Sequence, residues 1–159
     1  LLKGMISPLV EGEVNYVNAP MLANQLGIKV AQVRDLSGVD YPNTIACRIH
    51  YGAAEPHTIT GTVLGGKYPR IVKMSRYLVE GTPEGVVLLL RNKDVPGVIG
   101  QIGTLLAAYE INIAEWRMGR SEQGGEALCF INLDSSPPEP LVQAIEMIPA
   151  VTKAKVVTL

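Results

Sequence analysis

The sequence predicts an α+β fold: a small antiparallel-sheet α+β domain, then a second unit with the element order β-α-β-β-α-β. Three observations carry this expectation. Period-two alternation runs through much of residues 44–74, as in half-buried strands. A near-continuous apolar run, Val86 to Leu90, precedes an amphipathic helical stretch and further strand-like runs. Between the halves, Glu80-Gly81-Thr82-Pro83-Glu84-Gly85 has turn chemistry and no hydrophobic period. The domain boundary is placed there, dividing the chain into residues 1–82 and 83–159.

Leu1 to Leu9 reads as the end of an apolar helix stopped near Pro8. Because the chain opens on leucine, it is expected to be an N-terminally truncated or processed piece of a longer protein. Val14 to Val17 is a short strand or turn. Asn18 can cap a helix that has Pro20 in its first turn and Gly27 at its close, with Met21, Leu22 and Leu26 as the buried stripe. Ile28 to Val33 alternates weakly. From Thr44 to Tyr51, Ile45, Cys47, Ile49 and Tyr51 face one way and Thr44, Arg48 and His50 the other. Pro56 to Leu64 alternates as well, Gly65-Gly66 marks a hairpin, and Arg70 to Met74 returns.

The second half has the cleaner pattern. Val86 to Leu90 suits a central strand buried on both faces. Pro96 to Tyr109 is a helix with Val98, Ile102, Leu105 and Tyr109 as one stripe, widened by Ile99 and Leu106. Ile111 to Met118 is a strand, Ser121 to Gly125 a hairpin turn, and Glu126 to Leu133 the returning strand. Pro137-Pro138-Glu139-Pro140 leads a second helix with Leu141, Val142, Ile145 and Ile148 inward, and Val151 to Val157 is the last strand. This order is the ferredoxin-like split unit.

Composition narrows the function. Of 159 residues, 47% are apolar, enough for a sizeable core, and the net charge is −1. With no basic stripe interleaved with aromatics, neither nucleic acid nor an anionic membrane surface is an expected partner. The longest apolar run is too short to span a bilayer. Cys47 and Cys129 stand far apart without nearby histidines, which fits buried, reduced thiols in a cytoplasmic protein rather than a disulfide or a metal site.

No catalytic constellation emerges. His50 and His57 lie on strand-like runs with no nucleophile pattern around them, so they read as structural histidines. Gly97, Gly100 and Gly103 fall as G-x-x-G-x-x-G, not as a dinucleotide fingerprint, and suggest close packing of a helix on a sheet. Trp116 is expected to cover apolar surface. The polar corner Asn92-Lys93-Asp94, with Gly97, Val98 and the later Asn112, is different. Taken singly, Asp94 suits a helix cap, and Asn92 and Asn112 suit turns. Taken together, a carboxylate, two carboxamides and open helix-start amides suit a small zwitterion. Asp94 and Asn112 flank opposite ends of one helix, so one molecule does not easily bring all three groups to one guest, whereas two copies paired edge to edge can.

These residues carry a resemblance. Leu90-Arg91-Asn92-Lys93-Asp94-Val95-Pro96-Gly97-Val98-Ile99-Gly100, Ile102-Gly103-Thr104-Leu105-Leu106, Ile111-Asn112-Ile113-Ala114 and Gly124-Gly125-Glu126-Ala127-Leu128 resemble an ACT domain of the D-3-phosphoglycerate dehydrogenase family. Val14-Asn15-Tyr16-Val17-Asn18-Ala19-Pro20 and Pro69-Arg70-Ile71-Val72 resemble the intervening domain that precedes ACT in its longer members. The resemblance implies a regulatory region without catalytic residues, metal or cofactor of its own. The parent enzyme would use NAD, its catalytic and nucleotide-binding domains lying upstream. It implies self-association through ACT domains, with L-serine or another small amino acid held at Asn92, Asp94, Gly97, Val98 and Asn112 as feedback inhibitor. It also implies an anion site at Arg70 with Lys67 and Lys73, and the chain departs from the pattern at Glu110, where many relatives have glycine. Two other readings stay open: the matching region of an L-serine dehydratase, and a small-anion enzyme acting through Arg70 and His57.

Overall fold

The computed structural model describes residues 2–33, 41, 43–50 and 55–159. Tyr51, assigned above to a strand face, lies outside them. The chain divides into two compact units, Leu1–Asp40 and Tyr41–Leu159.

In the first unit, helix α1 (Leu2–Ile6) runs into a 3-10 turn, Ser7–Leu9, and helix α2 spans Ala19–Gln25. Ile6, Val14, Ala19 and Ala23 form its core, with Leu22 and Ile28 packed alongside. The expected stripe of α2 is corrected here. Met21 and Leu26 are exposed, and two alanines make the contact with larger partners such as Ile6. The Val14–Pro20 run is a self-bonded turn. Asn15 Oδ1 accepts the amides of Val17 and Asn18 at 2.9 Å each, while Asn18 Oδ1 accepts the Asn15 amide at 2.8 Å. Asn18 precedes α2, yet its side chain makes no bond to a helix amide. Gly27 closes the helix at φ 72°. Residues 28–33 form no strand.

The second unit contains two four-stranded antiparallel sheets. The first is a meander of β1 (Ile45–Ile49), β2 (His57–Leu64), β3 (Tyr68–Met74) and β4 (Tyr77–Gly81). Its β4 replaces part of the turn read at Glu80–Gly85. It is reached through a tight turn with Ser75 at φ 52°, and it buries Tyr77 and Val79.

The second sheet is built from β5 (Val86–Lys93), β6 (Ile113–Arg120), β7 (Glu126–Leu133) and β8 (Val151–Thr158), in the order β6-β7-β5-β8. Helices α3 (Val98–Ala108) and α4 (Glu139–Glu146) connect them, giving the expected β-α-β-β-α-β order. Leu88 and Leu90 of β5 and Cys129 and Ile131 of β7 share a core with Val98, Ile102 and Leu106 of α3 and Leu141 and Ile145 of α4. The intervening residues Val87, Leu128 and Phe130 pack with Tyr77 and Val79 of β4. Both faces of β5 and β7 are thus covered, which explains their nearly unbroken apolar runs. Asn132 ties the link between the sheets, donating to the Thr82 and Glu84 carbonyls at 3.0 Å each.

Two details of α3 depart from expectation. Ile99 and Tyr109 are exposed, so the stripe is narrower than drawn. Gly100 and Gly103 face open space rather than a sheet, since a Cβ at either meets nothing within 4 Å. Glu110 stands in the left-handed region at φ 57° directly after the helix. The close approach occurs instead at Gly119, where a Cβ would overlap the Leu78 carbonyl of β4.

Gly119→Ala should therefore destabilise the chain by roughly 1–3 kcal/mol. Gly100→Ala, on an open helix face, should stabilise it by about 0.5–1 kcal/mol. Chemical denaturation reads both, and equal midpoints for the two variants would contradict this packing.

Candidate functional site

A hollow of about 470 Å³ lies where β5 leaves its sheet, lined in part by Asp94, Gly97, Ile99, Arg120, Gln123 and Gly124. Topology explains why these residues meet. Strands β5 and β6 each run antiparallel to β7, so they are parallel to one another. The end of β5 and the end of β6 consequently lie at the same edge of the sheet, and the hairpin after β6 folds over that edge. The Asp94 amide donates to the Gly125 carbonyl at 2.8 Å, fastening the β5 exit to this hairpin.

Asp94 does not cap α3. The residue at the cap is Gly97, at φ 91°, and the helix start receives no side-chain hydrogen bond. The Asp94 carboxylate instead turns to the hairpin: its Oδ2 lies 3.2 Å from Arg120 Nη1 and 3.3 Å from the Gly124 amide. Asp94 is partly covered and Arg120 is more than half exposed. The first amides of α3 have no acceptor within their own helix. The hollow thus offers one fixed carboxylate, one movable guanidinium and a positively polarised helix start.

The other sequence-predicted residues are placed as follows. Gly97 lines the hollow, whereas Val98 is buried in the core. Asn92 is also buried: its Nδ2 donates to the Lys93 carbonyl at 2.7 Å and its Oδ1 accepts from the Cys129 thiol at 3.5 Å. It thereby supports the strand end from beneath. Asn112 stands just ahead of β6, where it donates to Asp134 Oδ2 at 2.8 Å. Since β6 is eight residues long, Asn112 and Arg120 are separated by roughly 27 Å of strand. One chain therefore brings together Asp94 and Gly97 but leaves Asn112 far off. Arg120 was missed in the sequence. Its only signal there was its place at the end of the strand parallel to β5.

The basic residues of the first sheet form a separate group. Arg70 donates to the neighbouring Pro69 carbonyl at 2.8 Å, Lys67 lies 5.4 Å from the Tyr68 ring centre, and Lys73 is exposed. Arg70 pairs in register with Thr62, and His57 starts the same strand five residues earlier. Roughly 17 Å of strand separates them, so they do not form one site.

Burial pushes the Cys129 thiol up to about 11, against a smaller opposing pull from Trp116. The neutral thiol's contribution to stability is whole below the unfolded value of 9 and is lost as pH rises through about 11. Cys47 is only half-buried. At pH 8 a disulfide-exchange reagent should modify Cys47 quickly and Cys129 only on unfolding. Two equally fast thiols in the native chain would contradict the buried Asn92–Cys129 pair.

Comparison with known proteins adds a lineage to this geometry. Residues 1–75 match the family model described as the D-3-phosphoglycerate dehydrogenase intervening domain, and residues 86–149 match the ACT domain. The chain is 35% identical over 158 residues to a D-3-phosphoglycerate dehydrogenase of Methanocaldococcus jannaschii, covering 99% of this chain and 30% of that protein. The enzyme of the same name from Synechocystis is 32% identical, over 99% of this chain and 28% of its own length. That from Bacillus subtilis is 31% identical, over 100% and 30%. The chain thus spans about 30% of the length of these relatives.

Proposed function

We propose, from the match of residues 1–75 to the D-3-phosphoglycerate dehydrogenase intervening domain and of residues 86–149 to the ACT domain, that this chain is the regulatory region of an NAD-dependent D-3-phosphoglycerate dehydrogenase, binding L-serine or another small amino acid between paired ACT domains as feedback inhibitor. The observation that carries the reading is the Asp94 carboxylate. It is fixed at the rim of a hollow beside the start of α3, and it is not used as a cap. The intervening-domain match favours the dehydrogenase over an L-serine dehydratase, and the separation of His57 from Arg70 disfavours a small-anion enzyme.

In this reading the guest's ammonium meets Asp94 in a charge-assisted contact. Its carboxylate faces the α3 amides near Gly97 and Val98. Asn112 comes from a second copy. Strand β6 lies at the edge of its sheet, with β7 as its only strand partner among the described residues. If two β6 edges pair antiparallel, the start of one lies beside the end of the other. Asn112 of the partner subunit then approaches the Asp94 hollow, closing a distance that one chain cannot close. Asn92 keeps the strand end in place from the core side. A guest touching both copies favours one arrangement of the pair. Such differential binding typically supplies about 1–3 kcal/mol of coupling, enough to shift domain populations in a longer enzyme. The intervening domain, with Lys67, Arg70 and Lys73, is assigned a separate anion-binding role, and the parent enzyme a cytoplasmic place.

Calorimetry with L-serine on the wild type and on Asp94→Ala tests this reading. The variant should lose roughly 10- to 100-fold in affinity, and native mass measurements should show a dimer. A strict monomer at high micromolar concentration, with and without L-serine, would overturn it.

A further inference from the structure

Arg120 is the charged group at this site that the proposed function has left unused, and its geometry suggests a role in choosing the ligand. The Asp94–Arg120 pair closes over the rim of the hollow with both charges satisfied, at 3.2 Å. Its two halves are held very differently. Asp94 is pinned by its own amide to Gly125 and by the Gly124 amide to its carboxylate. Among the described residues Arg120 has Asp94 as its only side-chain partner, and its side chain is 56% exposed. A pair this open to water is weakly held. Entry of a guest should therefore move the arginine and leave the aspartate where it is.

We infer that Arg120 recognises the guest's carboxylate, and that the Asp94–Arg120 pair acts as a charge filter that only a zwitterion opens at no electrostatic loss. This rests on the proposed reading of the hollow as an amino-acid site. The argument is one of charge balance. A plain amine entering beside Asp94 displaces Arg120 and leaves the guanidinium without a counter-ion. A plain carboxylate that draws Arg120 away leaves Asp94 unpaired. A zwitterion inserted between the two gives its ammonium to Asp94 and its carboxylate to Arg120, so two ion pairs replace one. Arginine suits this role because its planar fork can bind a carboxylate through two parallel N–H bonds.

The test is calorimetry of the 159-residue chain with L-serine, L-alanine and glycine, each against its C-terminal amide, which keeps the ammonium and lacks the carboxylate. In the wild type the amide of the best-bound amino acid should bind at least about tenfold more weakly, the scale of one charge-assisted contact. Arg120→Gln should weaken the amino acid by a similar factor and leave the amide unchanged or tighter, so that the preference collapses. Arg120→Lys, which keeps the charge, should recover part of the preference and guards against a folding defect. If Arg120→Gln binds the amino acid as tightly as the wild type or more so, the inference is overturned while the amino-acid site stands. If the wild type binds none of the three amino acids, the proposed function falls and this inference falls with it.

Discussion

The geometry of the site depends on one constraint: β5 is buried on both faces. Leu88 and Leu90 face the helices, and Val87 packs with Tyr77, Val79 and Phe130 on the other side. A strand packed on both faces can slip only by moving each side chain into a space shaped for another. Its pairing with β7 is continuous through the polar residues Arg91, Asn92 and Lys93, while its pairing with β8 shifts register between Arg91 and Asn92. The point where the chain leaves the sheet is therefore fixed, and Asp94 is fixed with it. Core packing some distance from the hollow is what holds a surface carboxylate at the hollow's edge.

Strand direction explains why one chain does not bring Asn112 to Asp94. The β-α-β connection sets β5 and β6 parallel, so their ends meet and their beginnings lie together at the far edge. Arg120 can reach Asp94, and Asn112 cannot. An antiparallel meeting of two β6 edges reverses that separation, because it lays a beginning beside an end. In the proposed pair, strand direction alone would bring Asn112 of the partner subunit toward Asp94.

Much of this was legible in the sequence, for physical reasons that differ between elements. Strand β7 was read with the bounds the structure has, because its apolar run is interrupted only by Asn132 and glycines precede it. Strand β5 was read short: Arg91-Asn92-Lys93 broke the apolar run, yet their backbones continue the ladder to β7 and β8. Strand β4 was overlooked because five residues ending in glycine, beside a turn-rich link, carry too little periodicity. The α2 stripe was misjudged because alanines, which weigh little in any hydrophobicity count, make the close contact. At the site, Asp94 stood out through the residues around it. Arg120 did not, since its sequence separation of 26 from Asp94 is bridged only by sheet topology.

Subunit complementation tests the central claim most directly. Asp94→Ala and Asn112→Ala chains, prepared separately and then mixed so that subunits exchange, are titrated with L-serine by calorimetry. Each variant alone should have lost high-affinity binding. Each mixed pair should regain one intact site, built from Asp94 of one subunit and Asn112 of the other. A mixture as silent as its two components, or an Asn112→Ala chain that binds like the wild type by itself, would contradict a site shared between copies.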